Sequence, residues 1–439
     1  MKYRASSILC VLFAVMFLST MMLTGCGEGS NADQQANSVV QQAESPDTQA
    51  EIQTEPQEKV KITYWHTYGD AEEPFFLDTV IPLFEQKYPN IEVEPMRQEV
   101  DQFNQLIVTS LGTHQTPDIA RVDITNVAAY ANQDALVSLD DMDGFGELKD
   151  TFLEAPLSTN FLKGKYYGIP LDTNCKAAII NMNFAKKLGL NEAPQTMEEI
   201  ISAADAKGNG KYSISIGSTG DWDTYPLFWM FGGVLTDKDF TKATGYMDSE
   251  QSIAALQKIA DLHNKKIITF NNIDGTAGAW DVMTKDGYLM TLDGPWFFAI
   301  FSDWKDKALV PAPVPAFNGK SASVVGGEDL VIFKDSKYPK EAYEFAKFLT
   351  SEEAQMLMAS KGQMPVLKSA INKEQIKRDP VLSVYQKQLE TANVRIPSPQ
   401  NSTIGQIWSN MMTSVLKGEI SAQDGLKKAA TQVDAELAK

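Results

Sequence analysis

The chain has 439 residues and a formal charge of −18, from 57 acidic against 39 basic side chains, with three cysteines and three histidines. So large an acidic excess repels polyanions, which argues against nucleic acid and anionic lipid heads as partners. His66, His114 and His263 stand apart, and no H-E-x-x-H, G-x-S-x-G or G-x-x-x-x-G-K-[ST] pattern occurs, so zinc hydrolysis, a serine triad and nucleotide hydrolysis are disfavoured and no metal, cofactor or catalytic residue is expected.

Lys2 and Arg4 precede an uncharged apolar run from Ile8 to Met22. The run is shorter than the roughly 20 residues a membrane-crossing helix needs, so residues 1–25 read as a signal peptide. It ends at Leu23-Thr24-Gly25-Cys26, which resembles the bacterial lipobox. That resemblance implies a diacylglycerol on the Cys26 sulfur, cleavage just before it and attachment to the cell membrane through the lipid. The alternative is an uncleaved anchor followed by an ordinary cysteine; either way the bulk of the chain is extracytoplasmic. Residues 26–59 then read as a lipidated cysteine and a flexible tether, because Gln, Glu, Ser, Ala, Asn and Asp cannot bury enough surface to offset ordering entropy. Loss of the leader takes the formal charge from −18 to −20, Lys2 and Arg4 being the charges removed, and leaves Cys175 alone in the folded body, with no intrachain disulfide.

The body, long enough for two domains, opens with Val60 to Trp65, an alternating apolar–polar strand that breaks at His66-Thr67-Tyr68-Gly69-Asp70. A helix from Phe75 to Tyr88, a strand from Ile91 to Pro95, a helix around Phe103 to Leu111 and a strand from Asp118 to Val122 follow. This alternation predicts an α/β fold with a parallel or mixed sheet. Such sheets bind ligands beyond the carboxyl ends of their strands, where the sequence puts His66, Thr67, Tyr68 and Asp70, then Gln98, Glu99 and Asp101, then Asp123, Thr125 and Asn126. Gly164 to Pro170 reads as a hairpin entering a strand that runs on through Asn181. Further along come a helix at Met197–Ala206, a strand at Tyr212–Ile216, an aromatic cluster at Trp222–Phe231 and a helix at Glu250–His263. A strand at Gly287–Leu292 leads into a second aromatic cluster, Asp293 to Phe298, and a Pro-alternating connector at Pro311–Pro315. Val324 to Asp329 opens onto a strand at Leu330–Phe333, and helices at Lys340–Leu349, Glu352–Ala359, Ile404–Leu416 and Ala422–Leu437 close the chain.

Several of these pieces in order, Lys61-Ile62-Thr63-Tyr64-Trp65, Thr116-Pro117-Asp118-Ile119, Gly164-Lys165-Tyr166-Tyr167-Gly168-Ile169-Pro170, Tyr225-Pro226-Leu227 with Gly232-Gly233, and Gly294-Pro295-Trp296, resemble the extracellular solute-binding proteins of ABC sugar importers, maltose-binding type. The resemblance covers nearly all of residues 60–439; no single piece is specific, and the ordered series carries it. It implies two α/β lobes with a hinged cleft, an N-lobe of residues 60–173 plus 316–360 and a C-lobe of 174–315 plus 361–439. The chain is then expected to cross between lobes near Asp172–Cys175, Pro311–Phe317 and Lys361–Val366. It further implies a monomer that captures an oligosaccharide and delivers it to permease subunits powered by a separate ATPase.

Sugar-stacking rings carry over to Trp222, Tyr225, Trp296 and Trp408, since the apolar C–H face of a pyranose rests on a flat ring. Hydroxyl-binding groups fall on His66, Asp70, Glu99, Asp123, Asp172, Asn174, Glu328 and Asp329, carboxylates being strong acceptors. Phe228, Trp229, Phe231, Phe297, Phe298, Phe301 and Trp304 read as packing, as does Trp65. Departures fall on the polar rim: Val122, Thr125 and Asn126 stand where the maltose binder has Trp, Asp and Arg, Asn174 replaces a Glu, and Met412 an Arg. The sugar is therefore not fixed as maltose or a maltodextrin. An exported glycoside hydrolase would share rings and paired carboxylates, and a polysaccharide-binding surface lipoprotein would share rings and anchor. Within importers, a peptide or polyamine is the other solute class.

Overall fold

Alternation in Val60–Trp65 buries Ile62, Tyr64 and His66 on one side of the first strand, β1 (Val60–His66). The structure, a computed structural model, describes residues 59–208, 211–285 and 287–439; the leader, Cys26 and the tether as far as residue 58 lie outside the described residues. β1 pairs in parallel along its whole length with β2 (Ile91–Arg97) and on its other side with β3 (Ile119–Asp123). The helical segment between β1 and β2 runs from Glu73 to Lys87 and contains a π-helical stretch at Phe76–Val80. A helix at Val100–Thr113 joins β2 to β3 and stops where His114 turns left-handed.

Next comes the hairpin of β4 (Phe161–Leu162) and β5 (Lys165–Tyr166), turned by Lys163 and Gly164 at φ 49° and 86°. The strand expected from the hairpin to Asn181 is two strands, β6 (Ile169–Cys175) and β7 (Ala177–Asn181), both wholly buried and broken at Lys176. Helices at Met197–Lys207 and Asp221–Met230, β8 (Ile214–Ile216), a helix at Glu250–Asn264, β9 (Ile268–Phe270), β10 (Met290–Asp293) and β11 (Leu309–Ala312) follow. The ten-residue β12 (Ser323–Ile332) and the short β13 (Ala392–Asn393) are the last strands among the described residues.

Two sheets result. The first has the order β13-β12-β3-β1-β2 with β6 also paired to β12; the second has the order β11-β7-β10-β8-β9. Both are mixed: β12 runs antiparallel to β3 and β6, and β7 antiparallel to β10 and β11. Each sheet is covered on both faces. Ile62, Leu330 and Ile332 belong to one core of the first sheet, Val122 and Val331 to the other. Ala178 and Ile180 face one core of the second sheet, Ala177 and Ile179 the other.

Two expectations about the crossings need correction. Pro311 lies in β11, paired with Ile179, while Ala316 and Phe317 dock on Gln195 and Phe231 of the second lobe. The Pro-alternating stretch is an edge strand, where a residue without an N–H is tolerated, and the return crossing is β12 itself. Ala322 and Val324 accordingly join the core of the second lobe, whereas Val366, Leu367 and Ala370 join that of the first. The lobe boundaries drawn at 316 and 361 therefore fall several residues early.

Candidate ligand-binding site

β6 and β12 run side by side in the first sheet, on the side from which the chain passes to the second, Asp172 opposite Glu328 and Asn174 opposite Gly326. Arg121, projecting from β3 and 6% exposed, reaches both carboxylates: its Nη2 is 3.1 Å from Asp172 Oδ2 and 2.9 Å from Glu328 Oε2. Its Nη1 donates to Thr67 Oγ1 at 2.7 Å, and its guanidinium lies 4.8 Å over the Tyr68 ring. Burial pushes the Glu328 carboxyl well above its ordinary range, Arg121 opposing and Asp172 adding to the rise.

Lys176, at the break between β6 and β7, is the counterpart on the second lobe. Its Nζ, 3% exposed, donates to the Leu292 carbonyl at 3.0 Å and lies 2.8 Å from Asp223 Oδ1 and 4.0 Å from Asp293 Oδ1. Burial works against its charge, but the two carboxylates outweigh it and hold Lys176 above its ordinary value. Asp293 also accepts from the Trp280 indole and the Gly294 amide, and burial raises its pKa against the pull of Lys176.

Between these ionic clusters lie two half-buried indoles. Trp222, in the first turn of the Asp221–Met230 helix, and Trp296, after β10, stack with centroids 6.3 Å apart and planes 24° apart. Lys176 Nζ sits 5.1 Å and the Arg395 guanidinium 5.3 Å from the Trp222 ring. Arg395 Nη2 is in turn 3.5 Å from Asp123 Oδ1 at the end of β3, so this residue ties the second lobe to the first sheet. A methyl group at Gly326 would collide with Asn174 Oδ1 and stand 2.7 Å from Trp222 Cη2; the missing Cβ lets the indole edge rest on the crossing strand. Beside Trp296, a cavity of about 330 Å³ is lined by Ala71, Lys361 and Gly362 from one side and Pro295, Ala299 and Trp304 from the other.

Of the residues proposed from sequence, Asp123, Asp172, Asn174, Trp222, Trp296 and Glu328 come together here. Six others do not. Tyr225 and Trp408 are each 1% exposed and pack edge to face at 4.9 Å, with the Trp408 indole N–H donated to Thr224 Oγ1, so they are core rings of the second lobe. Both are sealed inside that core, which the spacing around the matching motifs did not reveal. His66 is wholly buried among Tyr64, Tyr68 and Phe76, and burial, with Arg121 and Arg97, lowers its pKa to about 4. Asp329 points to the opposite side of β12 from Glu328, accepts from Thr159 Oγ1 at 3.0 Å, and is pushed by burial up to about 8. Asp70, with 94% of its side chain exposed, pairs with Arg97 on the surface, and Glu99 is exposed. Sequence reasoning passed over Arg121, Lys176, Asp223, Asp293 and Arg395. Two carried a readable signal, Arg121 within Ile119–Val122 and Lys176 between Cys175 and Ala177: a lone cation inside an apolar strand needs a buried counter-charge.

Two lobes, each a mixed sheet clad with helices, joined by crossing strands that carry charged side chains with two helix-borne indoles nearby, define a two-lobed binding-protein fold of the periplasmic type. The GacH receptor of Streptomyces glaucescens, solved unliganded and with acarbose, superimposes with a TM-score of 0.77 at 22% identity, over 87% of this chain and 99% of that one. An ABC transporter solute-binding protein of Thermotoga lettingae bound with α-D-tagatose gives 0.73 at 25% identity, over 86% and 100%. A maltotriose-binding protein of Pyrococcus abyssi is 24% identical over 379 residues, 81% of this chain and 76% of its own length. Residues 80–383 match the family of bacterial extracellular solute-binding proteins, and the chain belongs to it. No helix among the described residues is long and apolar enough to cross a membrane.

Proposed function

We propose that this protein is the solute receptor of an ABC-type importer and captures an oligosaccharide, malto-oligosaccharide or a related one, between its lobes. The observation that carries the reading is the Trp222–Trp296 pair at the junction of the lobes, ringed by charged side chains that are held in place by one another. Stacked indoles offer flat apolar faces to the C–H face of a pyranose, and fixed carboxylates and cations hydrogen-bond hydroxyls more strongly than neutral groups do. The acarbose, tagatose and maltotriose ligands of the similar proteins support the sugar class. The lobes close on the sugar by a hinge in β6, β12 and the segment near residues 361–366, and the loaded monomer engages the permease.

In this reading the protein binds without turnover. Asp172 and Glu328 share Arg121 and hydrogen-bond one another, closer together than the roughly 5 Å or more at which a glycosidase holds its two carboxyls. Cys26 carries the lipid that keeps the body at the cell surface. Calorimetric titration with malto-, gluco-, galacto- and xylo-oligosaccharides tests the central claim. One series binds at micromolar or tighter affinity, Trp222→Ala or Trp296→Ala abolishes the heat, and chromatography recovers the sugar intact; silence from all four series, or cleavage of any, refutes it. Release of Cys26→Ser protein into the medium, with loss of a palmitate label, tests the anchor.

A further inference from the structure

Buried polar atoms in folded proteins are almost always paired, and two at the Trp222 ring are not. Arg395 Nε and Asn174 Oδ1 are both buried without a hydrogen-bond partner, although the Arg395 side chain is only 12% exposed and Asn174 only 8%. They reach the same indole. The Arg395 guanidinium lies 5.3 Å from the Trp222 ring, and Asn174 Oδ1 crowds the point above Gly326 that stands 2.7 Å from Trp222 Cη2. Arg395 has an ionic partner, but a loose one: Asp123 Oδ1 is 3.5 Å away and already accepts from the Thr125 amide at 2.8 Å and the Thr125 hydroxyl at 2.5 Å. The other two cations of the site, Arg121 and Lys176, each face two carboxylates.

We infer that Arg395 and Asn174 are specificity-determining residues that together select an uncharged, hydroxylated sugar ring lying on Trp222; this rests on the sugar-capture reading above. The Arg395 Nε–H donates to one ring hydroxyl, and Asn174 Oδ1 accepts from that hydroxyl or its neighbour. A carboxylate substituent at this position fails on both chemistry and charge. It has no proton to give Asn174, and it would add to an excess of acid, since Asp123, Asp172, Asp223, Asp293 and Glu328 already surround three cations. Uronate-bearing oligosaccharides are therefore rejected where neutral ones bind.

The test is titration of the purified protein with maltotriose, cellotriose, xylotriose and tri-galacturonate, followed by variants against whichever neutral trisaccharide binds wild type. Arg395→Lys keeps a cation beside Asp123 and lacks the Nε donor, so its affinity falls about tenfold or more, the scale of a lost hydrogen bond to a charged group. Asn174→Ala falls comparably, and Lys238→Gln, at an exposed surface position outside the site, changes affinity less than about threefold; thermal melts confirm that each variant is folded. Wild-type affinity in Arg395→Lys and Asn174→Ala, or tighter binding of tri-galacturonate than of the neutral sugars, overturns the assignment. Loss of binding in Trp222→Ala alone would leave sugar capture standing without it. Failure of every trisaccharide to bind wild type would overturn both.

Discussion

Trp222 and Trp408 show how one residue type takes opposite duties in the same lobe. Trp408 satisfies its only polar atom through Thr224 and surrounds its ring with Tyr225 and Phe228, so its energy goes into folding. Trp408→Ala should cost about 3–5 kcal/mol of unfolding free energy, read by urea denaturation, with unchanged ligand affinity in the folded fraction; weakened binding at full stability would return Trp408 to the site. Asp329 makes a second residue-scale prediction. Its carboxyl is pushed up to about 8 by burial, against 3.8 in an unfolded chain, so the folded state holds a proton that the unfolded state gives up. Its stabilising share is full below pH 4 and is lost as pH rises towards 8, at about 1.4 kcal/mol per pH unit. Asp329→Asn, which keeps the shape and cannot ionise, should flatten that part of the stability curve between pH 5 and 8; an unchanged slope would mean the group is ionised in the fold.

At the scale of elements, β12 does three things at once. It pairs with β13 at Ser323–Val324, with β6 from Val325 to Leu330, and with β3 from Glu328 to Ile332. Consecutive residues alternate sides along β12, so Glu328 turns to Arg121 while Asp329 turns into the first lobe, and the register with β6 shifts between them where Leu171 is left unpaired. Gly327 makes the close approach possible: its φ is +134°, and an added methyl would strike the Asp172 carbonyl. Gly327→Ala should therefore destabilise by about 1–3 kcal/mol and carry Glu328 off Arg121, seen as a lower melting temperature together with weaker ligand binding. A variant as stable as wild type would show that the strand adjusts freely.

For the whole molecule, the proposed ligand belongs to both lobes. Any solute bound by the folded chain and not by the unfolded one adds RT ln(1 + [L]/Kd), about 2.7 kcal/mol at a hundred times Kd. Because the site draws Arg121 from the first sheet and Lys176 and Trp222 from the second lobe, that gain should appear as one shifted transition in calorimetry. Two transitions with a single one shifted would show that the sugar engages one lobe alone.

Much of this was legible along the chain. Periodicity and breakers gave the βαβ start, the helices at Met197–Lys207, Glu250–Asn264 and Pro339–Leu349, and the last two helices within a few residues, because those signals are local. Shorter helices such as Leu382–Leu389 and the edge strand with Pro311 were missed, since packing rather than propensity holds them. The sequence by itself determined the α/β class, the acidic excess and the polar and aromatic stock at the strand ends, and its resemblance to solute-binding proteins carried the two lobes. Which rings stay half-exposed at the junction of the lobes, which are core, and which cations neutralise the buried carboxylates was decided only by the tertiary structure: Arg395 meets Asp123 and Trp222 across long stretches of chain, and no local pattern records a pairing between segments so far apart.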